Sequence, residues 1–468
     1  MSALHELARP RFLPALHPGF RPFGLALRTL RKLAQASGHP ARLCLALERG
    51  GGAISRYDTI CLPENHPDAH LNVEYAERIV KFLLWARGGW RVYVSGPPAV
   101  AAHLKAVYAP GAARAFDHEF MGGVYDRPFT VEATDAAAMP ASKETTIPLG
   151  GHLEGCRIGF DLGASDRKVS AVIDGTPVFT EEVAWDPRGA SDPRYHYDEM
   201  MKALRSAAAH LPRVDAIGGS AAGVYIDNRP RVASLFRGIP KDLFDARTAN
   251  LFLDLRKAWG DVPFEVVNDG EVTALAGAMS LEDRPVLGIA LGSSQAAGYV
   301  TPGGEITSWL NELAFVPVDL DPDGPVDEWS GDRGVGALYF SQQAVFRLAP
   351  IGGIPVNDRL GLAERLKSVQ QRLEAGDPTA RRVWDAIGIY LGYALGLYAE
   401  FYELKHVLIL GRVTSGSGGD LILSRAKEVL AAEYPDVAAR ASISLPDEKS
   451  RRVGQAVAAA SLPAIVRR

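Results

Sequence analysis

The stretch that decides the fold is Arg157–Gly175, RIGFDLGASDRKVSAVIDG. It predicts an apolar strand, a glycine-containing turn and a second strand. Asp161 stands where the first strand ends, and a carboxylate in that place can hold a magnesium ion through water. Glycine lets the backbone of the turn approach a ligand, and successive N–H groups can cradle a phosphate. Taken alone, the segment is also compatible with an ordinary hairpin.

Three later segments have a similar form, an apolar strand followed by a turn. Asn268-Asp269-Gly270 lies between a strand and a helix, so Asp269 is placed where α/β sheets bind ligands, or else caps the helix. Residues 288–298, GIALGSSQAAG, predict a second phosphate-binding turn or a plain hairpin. Residues 410–420, LGRVTSGSGGD, can accept a purine base or a phosphate at a helix N-terminus, or serve only as a tight connection.

Composition excludes several classes of protein. The chain has 468 residues, of which 47% are hydrophobic and 23% charged, which is typical of a globular protein. A net charge of −4 gives no reason to expect nucleic acid or an anionic membrane as the main partner. Three cysteines without a CxxC pair exclude a four-cysteine zinc site. No P-loop motif is found, which excludes that kind of nucleotide site. Because neither a membrane-length apolar run nor a secretory signal is found, we expect a cytoplasmic protein.

Together the four segments resemble the actin-like sugar kinases of the ROK family (repressors, uncharacterised frames and kinases), over residues 155–465. DLGASDRK resembles the first phosphate motif, VVNDGEVTALAGAM the catalytic Asn-Asp segment and IALGSSQAAGYV the Gly-Thr-Gly loop, here with two serines. AIGGSAAGVYIDNRPRVASLFRGIP resembles the substrate-side segment and ILGRVTSGSGGDLI the adenosine segment. The resemblance implies an α/β fold of two actin-like (ribonuclease H-like) domains around a cleft, with MgATP as phosphate donor and a sugar hydroxyl as acceptor.

The resemblance also implies roles for individual residues. Asp269 would be the general base, and Asp161 would hold Mg²⁺ through water. The acceptor sugar would be bound by Asn268, Glu312 and Ser220. ATP would be bound by Gly163, Ala164, Ser165, Lys168, Gly292, Ser293, Ser294, Gly411, Arg412 and Gly418. For Lys168, a plain surface position is an equal alternative.

The chain departs from the family on the acceptor side. Where the family has Glu-x-Gly-His, this sequence reads Glu312-Leu313-Ala314-Phe315, so the glutamate is kept and the histidine is not. The family's cysteine-rich zinc run aligns with residues 328–335, EWSGDRGV, which contain no cysteine. We therefore expect no zinc site and an altered set of sugar contacts, for which Asp332 and Arg333 are candidate replacements.

The sequence predicts four regions: a basic arm at 1–40, an accessory α/β region and linker at 41–150, a first kinase lobe at 151–280 and a second at 281–468. The last helix could return to the first lobe. Within the arm, Phe23–Ala36 predicts a short basic amphipathic helix, either solvated or packed, with nucleic-acid or membrane contact as the less favoured reading.

We favour the kinase branch of the family, because the N-terminal region begins with strands and not with two closely spaced helices. A nonenzymatic sugar sensor is the alternative. A hexose, an amino sugar and a cyclitol all stay open as acceptors, and a homodimer is compatible with the sequence.

Overall fold

The computed structural model describes residues 4–144, 146–147, 150–163, 166–446 and 454–465. The chain forms two compact units. Unit 1 comprises Met1–Thr145, Ala290–Ala296 and Ser308–Leu445, and unit 2 comprises Thr146–Ile289, Ala297–Thr307 and Pro446–Arg468. The candidate residues Ala164 and Ser165 lie outside the described residues.

Unit 1 combines a small sheet with a set of helices. Its strands are β1 (Ala41–Glu48), β2 (Ile54–Cys61), β3 (Arg91–Ser95) and β4 (Thr130–Ala133), with β16 (His406–Leu410) and β17 (Ser442–Ser444) later in the chain. Its helices are α1 (Phe23–Ala36), α2 (Leu71–Arg87), α3 (Pro98–Val107), α4 (Ala115–Tyr125), α9 (Gln342–Ile351), α10 (Leu362–Glu374), α11 (Pro378–Tyr398), α12 (Ser417–Glu433) and α13 (Pro435–Arg440).

The N-terminal sheet of unit 1 has the strand order β2-β1-β3-β4. Strand β1 is antiparallel to both β2 and β3, whereas β4 is parallel to β3. The sequence predicts the first three strands, but it places β4 in a linker. Four residues, Thr130–Ala133, are too few to show a period-two pattern, and their strand conformation depends on pairing with β3.

The N-terminal helix is packed, which is one of the two alternatives predicted for it. Helix α1 has the predicted bounds, and Leu27 and Leu30 are fully buried. Gly24 faces the backbone of Leu397 on α11, and the Arg28 guanidinium donates to the Glu433 carbonyl at 2.6 Å. Residues 4–144 therefore share a compact unit with residues 308–445, whereas the sequence divides them into an arm and an accessory region. The apolar face of α1 is what fixes its position.

Unit 2 is built around a five-stranded sheet. The strands of unit 2, including those outside that sheet, are β5 (Thr146–Ile147), β6 (Cys156–Leu162), β7 (Asp166–Ile173), β8 (Thr176–Ala184), β9 (Ala216–Ala221), β10 (Val224–Ile226), β11 (Arg229–Val232), β12 (Phe264–Asn268) and β15 (Ile306–Thr307). Its helices are α5 (Pro193–Ala208), α6 (Lys241–Ala246), α7 (Leu251–Ala258), α8 (Asp269–Leu281) and α14 (Gln455–Ala460). The chain leaves this unit within β13 (Val286–Leu291) and re-enters it within β14 (Gln295–Val300).

The sheet of unit 2 has the order β12-β9-β6-β7-β8, with β12, β9 and β6 parallel to one another. Helix α14, near the end of the chain, packs directly on β6 and β9. A Cβ on Gly159 would overlap the Ala456 carbonyl, and a Cβ on Gly218 would overlap the Ala459 carbonyl. Glycine at these two strand positions lets the helix backbone approach the sheet.

The predicted α/β fold class is confirmed by these mixed sheets and helices. Among the described residues, no helix has both the length and the apolar character needed to cross a bilayer.

Candidate functional site

Three parallel strands of unit 2 bring the predicted catalytic segments to one edge of the sheet. In the register of β6 and β9, Asp161 pairs with Ser220, and in the register of β9 and β12, Ser220 pairs with Val267. Asn268 and Asp269 follow Val267 directly. We call Asp161, Ser220, Asn268 and Asp269 the strand-end site, since all four lie at or just beyond the carboxyl ends of these strands.

Asp161 is the most enclosed carboxylate of the strand-end site. Only 7% of the residue is exposed, and its Oδ1 accepts a hydrogen bond from the Ser220 hydroxyl at 2.8 Å. Burial raises the pKa of Asp161 to about 6; the charge of Asp269 adds to that rise, while Ser220 and Lys168 oppose it. Two carboxylates thus interact at this edge of the sheet, an arrangement that favours a divalent cation between or beside them.

Asn268, and not Asp269, is the N-cap of helix α8. The Asn268 Oδ1 accepts the Gly270 N–H at 2.7 Å, and its Nδ2 donates to the Gly223 carbonyl at 2.7 Å. Asp269 is the first residue of the helix and half-buried, and its Oδ1 also accepts the Gly270 N–H, at 3.0 Å. Burial raises the pKa of Asp269, and the backbone hydrogen bond opposes that rise. The capping role that competed with a catalytic role for Asp269 is therefore filled largely by its neighbour.

The first helical turn of α8 is held closely against β14. A Cβ on Gly270 would overlap the Ala297 carbonyl, so only glycine allows this approach.

Gly163 is the described residue at the start of the first predicted phosphate turn, and both its amide and its carbonyl have partners. The Gly163 N–H donates to the Asp166 carbonyl at 2.9 Å, and the Gly163 carbonyl accepts from Trp185 Nε1 at 2.8 Å. Lys168 lies on β7 opposite Asp161, with Asp166 and Glu182 each 3.9 Å from its ammonium. The Gly163 amide is thus engaged within the turn, while Lys168 lies close enough to lower the pKa of Asp161.

Unit 1 brings together the other two predicted nucleotide turns. Ser293 and Ser294 are exposed in the turn after β13, where the Gly292 N–H donates to the Ser294 carbonyl at 3.0 Å. Gly411, after β16, has a φ of 99°, and a Cβ there would lie 2.5 Å from the Leu291 carbonyl oxygen. The two turns are therefore neighbours, as a shared nucleotide site requires.

Two further candidates follow Gly411. Arg412 is exposed at the start of a short 3₁₀ turn, and its carbonyl accepts from Gln370 at 2.8 Å. Gly418 is buried in the first turn of α12, where a Cβ would overlap the indole nitrogen of Trp384. Gly418 therefore serves close packing of the helix, and Arg412 is the more accessible of the two.

Glu312 lies in unit 1, directly after Asn311, whose φ is 51°. The Glu312 backbone N–H donates to the Trp85 carbonyl at 2.9 Å. Phe315, which stands where the family has histidine, packs on the Trp85 ring at 4.4 Å between centroids and on the Trp329 ring at 5.2 Å. An aromatic cluster occupies this position.

Asp332 and Arg333, the candidate replacements for lost sugar contacts, both have partners inside unit 1. The Asp332 carboxylate is bound by Lys81 and Arg114, and the Arg333 guanidinium donates to the Gly324 carbonyl. Asp332 is only 8% exposed. The charge of Asp332 is therefore already compensated by two buried cations, and its sugar-binding role stays a prediction.

Sequence reasoning missed two groups of residues. One is the set of charged side chains around Asp332, namely Glu77, Lys81, Arg114 and Asp117. The other is His17 with Asp319 and Asp321, whose ligand atoms lie within 4.8 Å of one another. Both groups join residues far apart in the chain, and no local spacing in the sequence indicates them.

Comparison with known proteins supports the fold. No protein-family model matches the chain, and no curated protein matches it. The structure is similar to a ROK hexokinase from Thermus thermophilus, with 18% identity, 65% of this chain and 98% of that chain covered, and a TM-score of 0.50. It is also similar to a ROK family glucokinase from Streptomyces griseus, solved with glucose and AMPPNP, with 20% identity, 65% and 98% coverage and a TM-score of 0.49.

A ROK family transcriptional regulator is similar too, with 18% identity, 69% and 81% coverage and a TM-score of 0.46. The likeness at a TM-score of 0.50 shows that this chain shares the fold of the ROK hexokinase over 65% of its length. That fold is the one predicted from the sequence.

Proposed function

We propose that this protein is an ATP-dependent kinase that transfers the γ-phosphate of MgATP to a hydroxyl of a hexose-like sugar. The observation that carries the proposal is the strand-end site. Asp161 and Asp269 lie at the ends of parallel strands, close enough for one charge to raise the pKa of the other. A pair of carboxylates at this place in an α/β sheet suits one metal-binding and one proton-accepting role.

Asp269 is the proposed general base. Its carboxylate takes the proton of the acceptor hydroxyl while the new bond forms between that oxygen and the γ-phosphorus, and ADP leaves with the electrons of the broken bond. Because burial raises the pKa of Asp269 toward the working pH, the ionised carboxylate is a stronger base than an exposed aspartate. Asn268 supports this role by capping α8 in its place.

The residues present fit a magnesium ion. Asp161 is a buried carboxylate, and the negative charge of Asp269 helps to raise its pKa. Among the described hydrogen bonds, Asp161 accepts from the Ser220 hydroxyl. When bound, Mg²⁺ neutralises phosphate charge during transfer. Asp161 would hold the ion through water. Ser220, which is fully buried, would orient Asp161. A sugar contact by Ser220 stays a proposal from the sequence resemblance.

The proposed ATP-binding residues lie on three turns. In unit 2 these are Gly163 and Lys168, near Asp161. In unit 1 the neighbouring turns at 292–294 and 411–412 offer exposed Ser293, Ser294 and Arg412, with Gly418 at the start of the following helix. Ala164 and Ser165 stay proposals from the sequence resemblance alone.

Glu312 and Asn268 are the proposed sugar contacts. Each carboxylate oxygen of Glu312 can accept from a sugar hydroxyl, and Asn268 keeps one amide hydrogen beyond the one it donates to Gly223. These two side chains suit a polyhydroxylated small molecule, and the proposed acceptor is a hexose, an amino sugar or a cyclitol.

A nonenzymatic sugar sensor is the second candidate. The Gly163 N–H donates to the Asp166 carbonyl, so this one donor is already used within the chain. A sensor would bind sugar and leave ATP intact. If it also bound DNA, it would be retained on heparin at moderate salt, which a kinase need not be.

The experiment that tests the proposal is a screen for ADP release from MgATP across hexoses, amino sugars and cyclitols. We expect at least one acceptor to raise ADP release and to be recovered as its phosphate ester in equal amount. Sugar binding by calorimetry without ADP release for any acceptor would instead support the sensor.

A further inference from the structure

The loop that carries Glu312 is attached to the end of helix α2. The Glu312 N–H donates to the Trp85 carbonyl at 2.9 Å, and the Asn311 N–H donates to the Ala86 carbonyl at 3.0 Å. Both carbonyls belong to the last turn of α2, where carbonyl groups have no partner within the helix. The loop therefore completes the hydrogen bonding of α2, and α2 fixes two successive residues of the loop.

A second loop, residues 327–335, is attached to the same part of the molecule through charge. Lys81 on α2 is fully buried, lies 3.0 Å from Asp117 on α4 and also binds Asp332. Arg114, which precedes α4, binds Asp332 and lies 2.7 Å from Glu77. We call these residues the charge cluster. Removal of one partner from such a buried cluster leaves an uncompensated charge and loosens the loop it holds.

Aromatic rings connect the two loops. Trp85 packs on Phe315 of the first loop at 4.4 Å and on Phe120 of α4 at 4.6 Å, and its indole N–H donates to Asp117 at 2.7 Å. Trp329 of the second loop stands against Phe315 at 5.2 Å. Trp85 thus contacts the Glu312 loop through its carbonyl and its ring, and contacts the charge cluster through its nitrogen.

Hydrogen bonds within the loop and contacts from outside it hold this geometry; within it, the Leu313 N–H donates to the Asn311 carbonyl at 2.9 Å. Asn311 has a φ of 51°, a left-handed conformation that persists in a non-glycine residue only when the surroundings impose it. One such support is the hydroxyl of Tyr402, which donates to the Asn311 Oδ1 at 3.1 Å. The other is α2.

From these contacts we infer that Lys81, Trp85 and Arg114 are positioning residues for Glu312, so that the N-terminal region sets the affinity for the acceptor. The inference rests on the proposed function, in which Glu312 binds the acceptor. Residues 71–125 contact the backbone of Glu312 through α2. They also bind the loop of residues 327–335 through Asp332. None of the three positioning residues needs to touch the sugar.

The test is Asp332→Asn in the full-length protein, which removes the charge that Lys81 and Arg114 share while keeping the side-chain shape. We expect the KM for the best acceptor to rise by about tenfold, because a loop displaced by a fraction of an ångström loses its hydrogen bonds to the ligand. The KM for ATP should stay within about twofold, and kcat at saturating acceptor should fall much less than the KM rises.

The matched control is Glu433→Gln on α12. Glu433 is also 8% exposed and accepts hydrogen bonds from the Tyr393 hydroxyl and the Arg11 N–H, each at 2.9 Å. It has no contact with the two loops among the described hydrogen bonds and ion pairs. The control should lower the melting temperature as Asp332→Asn does, but leave the acceptor KM unchanged. An equal rise of acceptor KM in both variants would mean a general loss of stability and would overturn the inference.

Hydrogen exchange provides the second readout. In Asp332→Asn, amide exchange should become faster in peptides that cover residues 309–316 and 327–335, and stay unchanged in α12. If the wild type phosphorylates no sugar, the proposed function fails. If the wild type is active but Asp332→Asn leaves acceptor KM and loop exchange unchanged, the positioning inference alone fails.

Discussion

The strand-end site of unit 2 and the Glu312 loop of unit 1 owe their geometry to different parts of the chain. Asp161, Ser220 and Asp269 are placed by strands that pair directly with one another. Glu312 is placed by Trp85, a residue far earlier in the sequence. The positions of the proposed catalytic and metal-binding side chains therefore depend on the sheet of unit 2. The position of Glu312, and with it the proposed affinity for the acceptor, depends on the N-terminal region.

The largest expected effect tests the part played by that region. A chain beginning at Gly150 would expose apolar surface that α1 and α2 now cover, including the stacking of Phe82 on Phe401 at 4.0 Å between ring centroids. We expect this truncated chain to be insoluble or to lack a cooperative melting transition, as judged by circular dichroism and gel filtration. A soluble, cooperatively melting product would show that the N-terminal residues are accessory.

The next effect concerns magnesium at the strand-end site. Asp161→Asn should raise the Mg²⁺ concentration needed for half-maximal turnover by about 10- to 100-fold, as expected for a group that acts on the metal through water. Since burial raises the pKa of Asp161 to about 6, the folded state disfavours its charge, so the free energy of unfolding should not fall. Magnesium titrations and thermal melts check both parts. An unchanged Mg²⁺ requirement would remove Asp161 from the metal site.

Glu312 should show a smaller and more selective effect. Glu312→Gln should raise the KM for the acceptor by about tenfold, because a hydrogen bond to a charged group is worth about 1.5–3 kcal/mol. The KM for ATP should be nearly unchanged. Initial rates over a grid of both substrate concentrations measure the two constants separately. A change confined to ATP would place Glu312 on the nucleotide side.

Lys168 is expected to contribute least. Its two ion pairs are 3.9 Å long, and its side chain is 40% exposed. Ion pairs of this kind are worth about 0–1 kcal/mol, so Lys168→Met should lower kcat/KM for ATP by less than about fivefold. Lys168→Arg, which keeps the charge, is the matched control. A loss of a hundredfold or more in the methionine variant alone would make Lys168 a direct phosphate ligand.

The sequence predicts the strand-end site better than the acceptor side for a physical reason. Apolar strands and the turns that follow them have local signatures, so the α/β fold and the bounds of α1 could be read from short windows. The short strand β4 and the contacts of Asp332 have none. Nothing near Lys81 in the sequence indicates that it is buried beside Asp117 and Asp332.

The N-cap of α8 is a second feature that the sequence alone does not settle. Asn and Asp are almost equally good caps, so the sequence left the cap of α8 open between a structural and a catalytic reading of Asp269. The structure places Asn268 at the cap, where its Oδ1 accepts the Gly270 N–H at 2.7 Å. A one-residue shift in where a helix begins is below the resolution of sequence patterns.

The central claim, that Asp269 is the base of a sugar kinase, is tested most directly by the turnover number of Asp269→Asn measured beside its melting temperature. A positioned base contributes about 10²–10⁴ in rate, so kcat should fall by that factor while ATP binding and the melting temperature stay close to wild type. Normal turnover in a normally folded variant would contradict the account, because it would leave Asp269 as a residue of the helix terminus alone.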